Sequence, residues 1–136
     1  SAAGGGSDFT LTGVGVLCHQ MWGKSKASEV RKGLKYIQEN TKFNYNTKDS
    51  DLYNHYYESQ AMMQAGGESW KFYNDLFRDQ LLNNQNPDGS WKAPGYSGHG
   101  LGGNEVYRNA LCILMLEVYY RFLKSSGSGS GDRPGI

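Results

Sequence analysis

Disulfide frameworks, phosphate-backbone binding and membrane insertion each need something that this sequence has little of. Its 136 residues hold only two cysteines, Cys18 and Cys112, too few for a stapled scaffold. Fourteen basic side chains stand against 13 acidic ones, a net charge of +1, and no dense Lys/Arg cluster occurs. Nucleic acid and anionic membrane surfaces are therefore poor partners on charge alone. No apolar run approaches the roughly 18 residues of a membrane span, so no transmembrane segment is expected. The first residues, Ser1-Ala2-Ala3-Gly4-Gly5-Gly6-Ser7, have neither the basic start nor the apolar stretch of a secretory signal. With two unpaired-looking cysteines, that favours a soluble, cytoplasmic protein. Period-2 alternation of the kind a strand needs is also missing. At this length one small domain is expected, burying roughly 65–70% of the surface its unfolded chain would expose.

What is present is glycine, and it is unevenly spread. Three of the 19 glycines lie in the first six residues, six lie between Gly89 and Gly103, and four lie after Ser125. Residues 1–7 and 125–136 have little or nothing apolar to bury and read as flexible segments, the second a Gly/Ser tail. The folded part is expected over residues 8–124.

Within it, five stretches have helical character. The first, about Phe9–Trp22, is apolar nearly all round. The second, about Ala27–Glu39, sets Val30, Leu34 and Ile37 on one side and is a surface helix. The third begins near Ser50 or Asp51, carries Tyr53, Tyr56, Tyr57, Ala61, Met62 and Met63, and stops at Gly66-Gly67. The fourth, Glu68–Asn84, is amphipathic through Trp70, Tyr73, Phe77 and Leu81. The fifth, about Asn104–Leu123, contains the run Leu111-Cys112-Ile113-Leu114-Met115-Leu116, with no polar side for water, and is expected to be buried.

Inner and outer helices thus alternate. Gly15-Val16-Leu17-Cys18, Ser59-Gln60-Ala61-Met62 and Asn109-Ala110-Leu111-Cys112 recur at intervals of about 43–51 residues. Helical pairs repeating at that length stack side by side, because none buries its inner face alone. A plain helical bundle remains the competing reading. The stretch Leu81-Leu82-Asn83-Asn84-Gln85-Asn86-Pro87-Asp88-Gly89-Ser90-Trp91 has a physical logic of its own. Gln85 at a helix end can satisfy free carbonyls, Pro87-Asp88-Gly89 makes a tight turn, and Trp91 can fold back over the helix terminus.

The same stretch resembles the QW motif of the terpenoid cyclase and protein prenyltransferase superfamily, the squalene-hopene cyclase-like α/α toroids. Gln85, Gly89 and Trp91 are its matching positions. Tyr56 to Gly67, and Tyr107 to Cys112 through Arg121, look like bacterial proteins with prenyltransferase and squalene oxidase repeats. The resemblance implies an all-α toroid of helical hairpins. Full toroids have about a dozen helices, so five imply an incomplete ring, completed by self-association or by the remainder of a longer parent chain.

Family chemistry is carried over only in part. Cyclases protonate a polyprene with a DxDD motif; Asp49-Ser50-Asp51-Leu52 has the right place but Leu52 at the fourth position, and either Asp49 or Asp51 serves equally well as a helix N-cap. Prenyltransferases bind zinc through a histidine in an Asp-x-Tyr-His stretch; here Asp51-Leu52-Tyr53-Asn54-His55 puts Asn54 there, and no Asp-x-Cys partner occurs. No metal and no cofactor is expected, and both cysteines read as small buried hydrophobes. His55 and Glu58 are one turn apart, an acid/base couple or, more simply, a polar rim contact. Glu117 suits an i, i+4 pair with Arg121 or an acid in a cavity. Tyr53, His55, Tyr57 and Glu117 are the candidate ligand contacts, although most of the ten tyrosines are expected to pack. The glycine-rich stretch Ala93–Gly103 around His99 lacks a P-loop's Gly-Lys-Ser/Thr and reads as a mobile connection.

The expected function is a non-catalytic module binding an apolar small molecule or a protein partner through its inner face and open edge. The alternative is a fragment of a terpene cyclase-like enzyme acting on a polyprenyl substrate, with Asp49 and Asp51 near the cavity.

Overall fold

The computed structural model describes residues 8–96, 98 and 104–127. Of the segments expected to be flexible, 1–7 and 125–136, residues 1–7 and 128–136 lie outside them, as do His99 and most of the glycine-rich connection. Five helices form: α1 Asp8–Met21, α2 Ser28–Asn40, α3 Leu52–Ala65, α4 Gly67–Leu82 and α5 Glu105–Gly127. The chain is all-α, and no strand forms among the described residues. Helix α5 runs three residues past Lys124, the expected end of the folded part.

Helix boundaries follow local chemistry. Asp51 is the N-cap of α3, its carboxylate accepting the Asn54 backbone N–H at 3.3 Å. Gly66 closes α3, its N–H reaching the Met62 and Met63 carbonyls. Helix α2 is the most one-sided of the five, with Val30 and Ile37 buried and charged residues outward.

Helix α3 is central, packing against α1 on one side, α5 on another and α4 behind. Helix α2 packs on α1 and touches α4. The layer α1, α3, α5 is therefore backed by α2 and α4, which is the inner and outer alternation expected from the repeat. The main core gathers Ile37, Tyr45, Met62, Tyr73, Phe77, Leu81, Trp91 and Met115, with a smaller cluster of Val16, Val30 and Ala61 where α1 meets α2 and α3.

Close packing of α1 on α3 depends on Gly13. A Cβ there would lie 2.8 Å from the Glu58 backbone nitrogen, which cannot move aside as a side chain can. Gln20 on the same face donates to the Ala61 carbonyl at 3.0 Å. Gly13→Ala is expected to destabilise the fold by about 1–3 kcal/mol in urea denaturation, despite alanine's better helix propensity. A neutral or stabilising result would show that α1 stands farther from α3.

Two expectations are corrected by the packing. Helix α5 is not buried all round: Ile113, inside its apolar run, is 54% exposed and Val106 80%. The physical reason is that, among the described helices, only α3 packs extensively on α5. Cys18 is likewise exposed on the outer side of α1, whereas Cys112 is buried, and burial raises its thiol to about 12.

Candidate functional site

The start of α3 carries the densest polar chemistry. His55 and Glu58 are both buried, so they are not a rim contact. They meet through Tyr73 of α4. The Tyr73 hydroxyl lies 2.7 Å from His55 Nδ1 and 3.0 Å from Glu58 Oε2, and His55 Nε2 lies 2.8 Å from the Asp49 carbonyl. Thr41, just past α2, donates to Glu58 Oε2 at 2.9 Å, and Asn54 Nδ2 donates to Oε1 at 3.2 Å. One carboxyl group thereby ties together α2, α3 and α4.

A chain of donors and acceptors runs through this network. A carbonyl only accepts, so His55 Nε2 carries a hydrogen toward Asp49. Neutral His55 then has a bare Nδ1 and needs the Tyr73 proton. The Tyr73 oxygen must in turn receive a proton from Glu58, which requires the carboxylic acid. The contacts are satisfied in this neutral form, and equally when His55 Nδ1–H donates to Tyr73 and Tyr73 donates to an ionised Glu58, so burial decides between them. Burial drives both groups the same way, raising Glu58 to about 7 and lowering His55 to about 4. Their side chains approach to 3.9 Å, and burial favours the neutral hydrogen-bonded pair over the ion pair. Tyr73 is held well above its ordinary value, first by burial and then by Glu58.

Beside this network lies a cleft of about 330 Å3. Its rim includes Lys42, Lys48, Asp49, Asp51 and Tyr96, so its lining suits polar groups. Nearby loops are tied down: Tyr45 donates its hydroxyl to the Lys92 carbonyl at 2.7 Å, and the N–H of rim residue Tyr96 reaches Ser50 Oγ at 2.9 Å.

Of the other sequence candidates, Asp49 and Asp51 line this cleft with His55 and Glu58, whereas Tyr53, Tyr57 and Glu117 do not. Asp51 commits its carboxylate to the helix cap, and Asp49 offers its backbone carbonyl to His55. Tyr53 and Tyr57 stack edge to face at 4.9 Å, with Tyr56 5.1 Å from Tyr57, away from the cleft lining. Glu117 stands exposed on α5, and the Arg121 side chain lies outside the described residues. No group of three potential metal ligands occurs among the described residues, and no described helix is long and apolar enough to cross a membrane. Thr41 and Tyr73 were missed from sequence. Tyr73 reads as one more residue of an apolar face, and nothing local to Thr41 shows that it will sit beside Glu58.

The Gln85–Trp91 segment folds back as a brace. Trp91 is 2% exposed, and its indole Nε1 donates to the Leu81 carbonyl at 2.8 Å, capping α4. Gln85 does a different job from the one expected. Its amide donates to the Gly89 carbonyl at 2.9 Å and closes the turn, while Asn84 Nδ2 takes the free Gln80 carbonyl. Gly89 has φ 88°, a conformation that a side chain would strain. From the brace, Trp91 reaches α5 through its N–H to Asn109 Oδ1 at 2.9 Å and its carbonyl, which accepts from Arg108 Nε at 2.7 Å.

A third feature is on the edges of the α1, α3, α5 layer. On α1, Leu11, Gly15, Cys18 and Trp22 are exposed in one stripe, with Trp22, just past the helix, 81% exposed. On α5, Val106, Ala110, Ile113 and Glu117 form a similar exposed stripe. No family model, no curated protein and no solved structure matches this chain.

Proposed function

We propose that this chain is a non-catalytic helical-hairpin module, built on the plan of an incomplete α/α toroid, that docks onto protein partners through the apolar edges of its inner layer. The observation that carries this reading is the pair of exposed stripes on α1 and α5, at opposite ends of one layer. Large exposed apolar patches are uncommon on soluble monomers and mark interaction surfaces. The toroid plan draws support from the alternation of inner and outer helices and from the Trp91 ring, which covers the end of α4. A protein partner fits better than an apolar small molecule because the cleft is lined by charged and amide groups.

The enzyme reading asks Asp49 and Asp51 to supply a proton. Asp51 is occupied as a cap, and the acid that keeps its proton near neutral pH is Glu58, whose two oxygens are both taken by protein donors. That network is a tie between helices in this reading.

In sedimentation the wild-type chain is expected to self-associate at micromolar concentration. A chain carrying both Leu11→Glu and Ile113→Glu is expected to remain monomeric, with folding stability within about 0.5 kcal/mol of wild type, since both positions are exposed. A wild-type monomer across the micromolar range would reject the proposal.

A further inference from the structure

The cleft beside His55 and Glu58 holds charges of both signs that do not pair with one another. All ten residues lining it have polar side chains, which favours a polar ligand over an aliphatic one. Lys42 and Lys48 stand exposed on the loop between α2 and α3, and Asp49 and Asp51 end that loop. Among the described residues neither lysine and neither aspartate belongs to an ion pair. The acceptor end of the cleft is the first turn of α3. There Asn54 Oδ1 is buried without a hydrogen-bond partner, a costly state unless a donor meets it. Burial raises Glu58, and the Asp51 charge adds to it, so a cationic donor is favoured at this end over a neutral one. The donor end is the loop itself. Phe43 and Tyr45 are buried in the main core and fix its backbone, with the Tyr45 N–H on Gln80 Oε1 at 3.1 Å and the Tyr45 carbonyl accepting the Gly95 N–H at 2.9 Å. The two lysines are thus carried on a backbone already held in place, which lowers the ordering cost of binding.

We propose that this cleft binds a small zwitterion, its ammonium group received by Asn54 Oδ1 and the Asp51 carboxylate and its carboxylate by Lys42 and Lys48. The volume, about 330 Å3, is at the small end of ligand pockets and suits an amino acid or a short peptide. Charge of both signs on the lining excludes simpler ligands. A bare anion would meet Asp49 and Asp51, and a bare cation would meet the two lysines, whereas a molecule carrying both leaves the cleft balanced. The stripes on α1 and α5 take no part, so this site is independent of edge docking.

Isotope-labelled protein titrated at neutral pH with glycine, glycylglycine and triglycine is expected to bind at least one of them saturably at millimolar concentration, with the Asn54 side-chain amide resonance moving. Acetylating the amine of that probe, and separately amidating its carboxylate, is each expected to weaken binding about tenfold or more. The double variant Lys42→Met, Lys48→Met and the single variant Asp51→Asn are expected to do the same. Both lysines are exposed, and asparagine caps a helix as well as aspartate, so these variants keep the fold, which circular dichroism checks. No saturable binding of any of the three probes overturns the proposal. Binding that survives acetylation marks an anion site and binding that survives amidation a cation site, and either overturns it. Binding indifferent to both the lysine and the Asp51 variants lies elsewhere on the molecule and overturns it equally.

Discussion

Replacing Trp91 by alanine is expected to destabilise the domain by about 3–5 kcal/mol. The ring is nearly fully buried in the main core and its removal leaves a cavity lined by residues that cannot all collapse inward. The change also strips the Leu81 carbonyl of its indole partner at the end of α4, adding the cost of an unsatisfied helix terminus. Trp91→Phe separates the contributions, since it keeps most of the apolar ring and loses the N–H; it is expected to cost clearly less than alanine. Urea denaturation of the three proteins at one pH gives both differences. A loss below about 0.5 kcal/mol for alanine would mean that the α4 to α5 brace contributes little to holding α5 on α3.

The pH dependence of stability is expected to be flat for wild type where it is steep for Glu58→Gln. In the unfolded chain Glu58 titrates near its ordinary 4.5 and His55 near 6.5; in the fold they stand at about 7 and about 4. Between pH 4.5 and 6.5 the unfolded pair holds one proton on the histidine and the folded pair holds one on the glutamic acid. Equal proton counts mean no slope from these groups. Above 6.5 the folded form retains a proton that the unfolded form has lost, so stability falls as pH rises to about 7. Below 4.5 the unfolded form takes up the extra proton first, so stability falls as pH drops to about 4. Glutamine at position 58 can donate to Tyr73 as the carboxylic acid does, which keeps the fold but removes the compensation. His55 then acts alone: its folded value lies below its unfolded one, and stability is lost as pH falls from 6.5 toward 4, by about 3 kcal/mol in total. Parallel wild-type and variant profiles across this range would show that Glu58 is already ionised in the fold.

Much of the architecture was legible because short-range chemistry states it. Asp51 before an apolar-periodic run is a helix start, Gly66 after it a stop, and the spacing of Trp70, Tyr73, Phe77 and Leu81 marks one buried face of α4. The fold-back of Trp91 could be foreseen from the turn residues before it. The division of labour inside the brace could not, because whether Gln85 reaches a helix carbonyl or its own turn depends on angstrom-scale placement of the turn. The apolar run of α5 misled for a related reason. Hydropathy tells that a residue avoids water, not whether the chain in hand provides its cover, and Ile113 has the same composition around it as buried Met115.

The sequence by itself determined the helical class, the five helices, their inner and outer alternation and the caps, since each depends on residues within a turn or two of one another. Only the tertiary structure decided what the polar residues do. His55 and Glu58 come from α3, Tyr73 from α4 and Thr41 from just past α2, and their shared proton exists because packing places them within hydrogen-bond distance in a buried site. Burial is a property of the assembled layers, so the raised acid, the lowered histidine and the uncovered stripes on α1 and α5 all appear only once α3 has neighbours on some sides and α1 and α5 lack them on others.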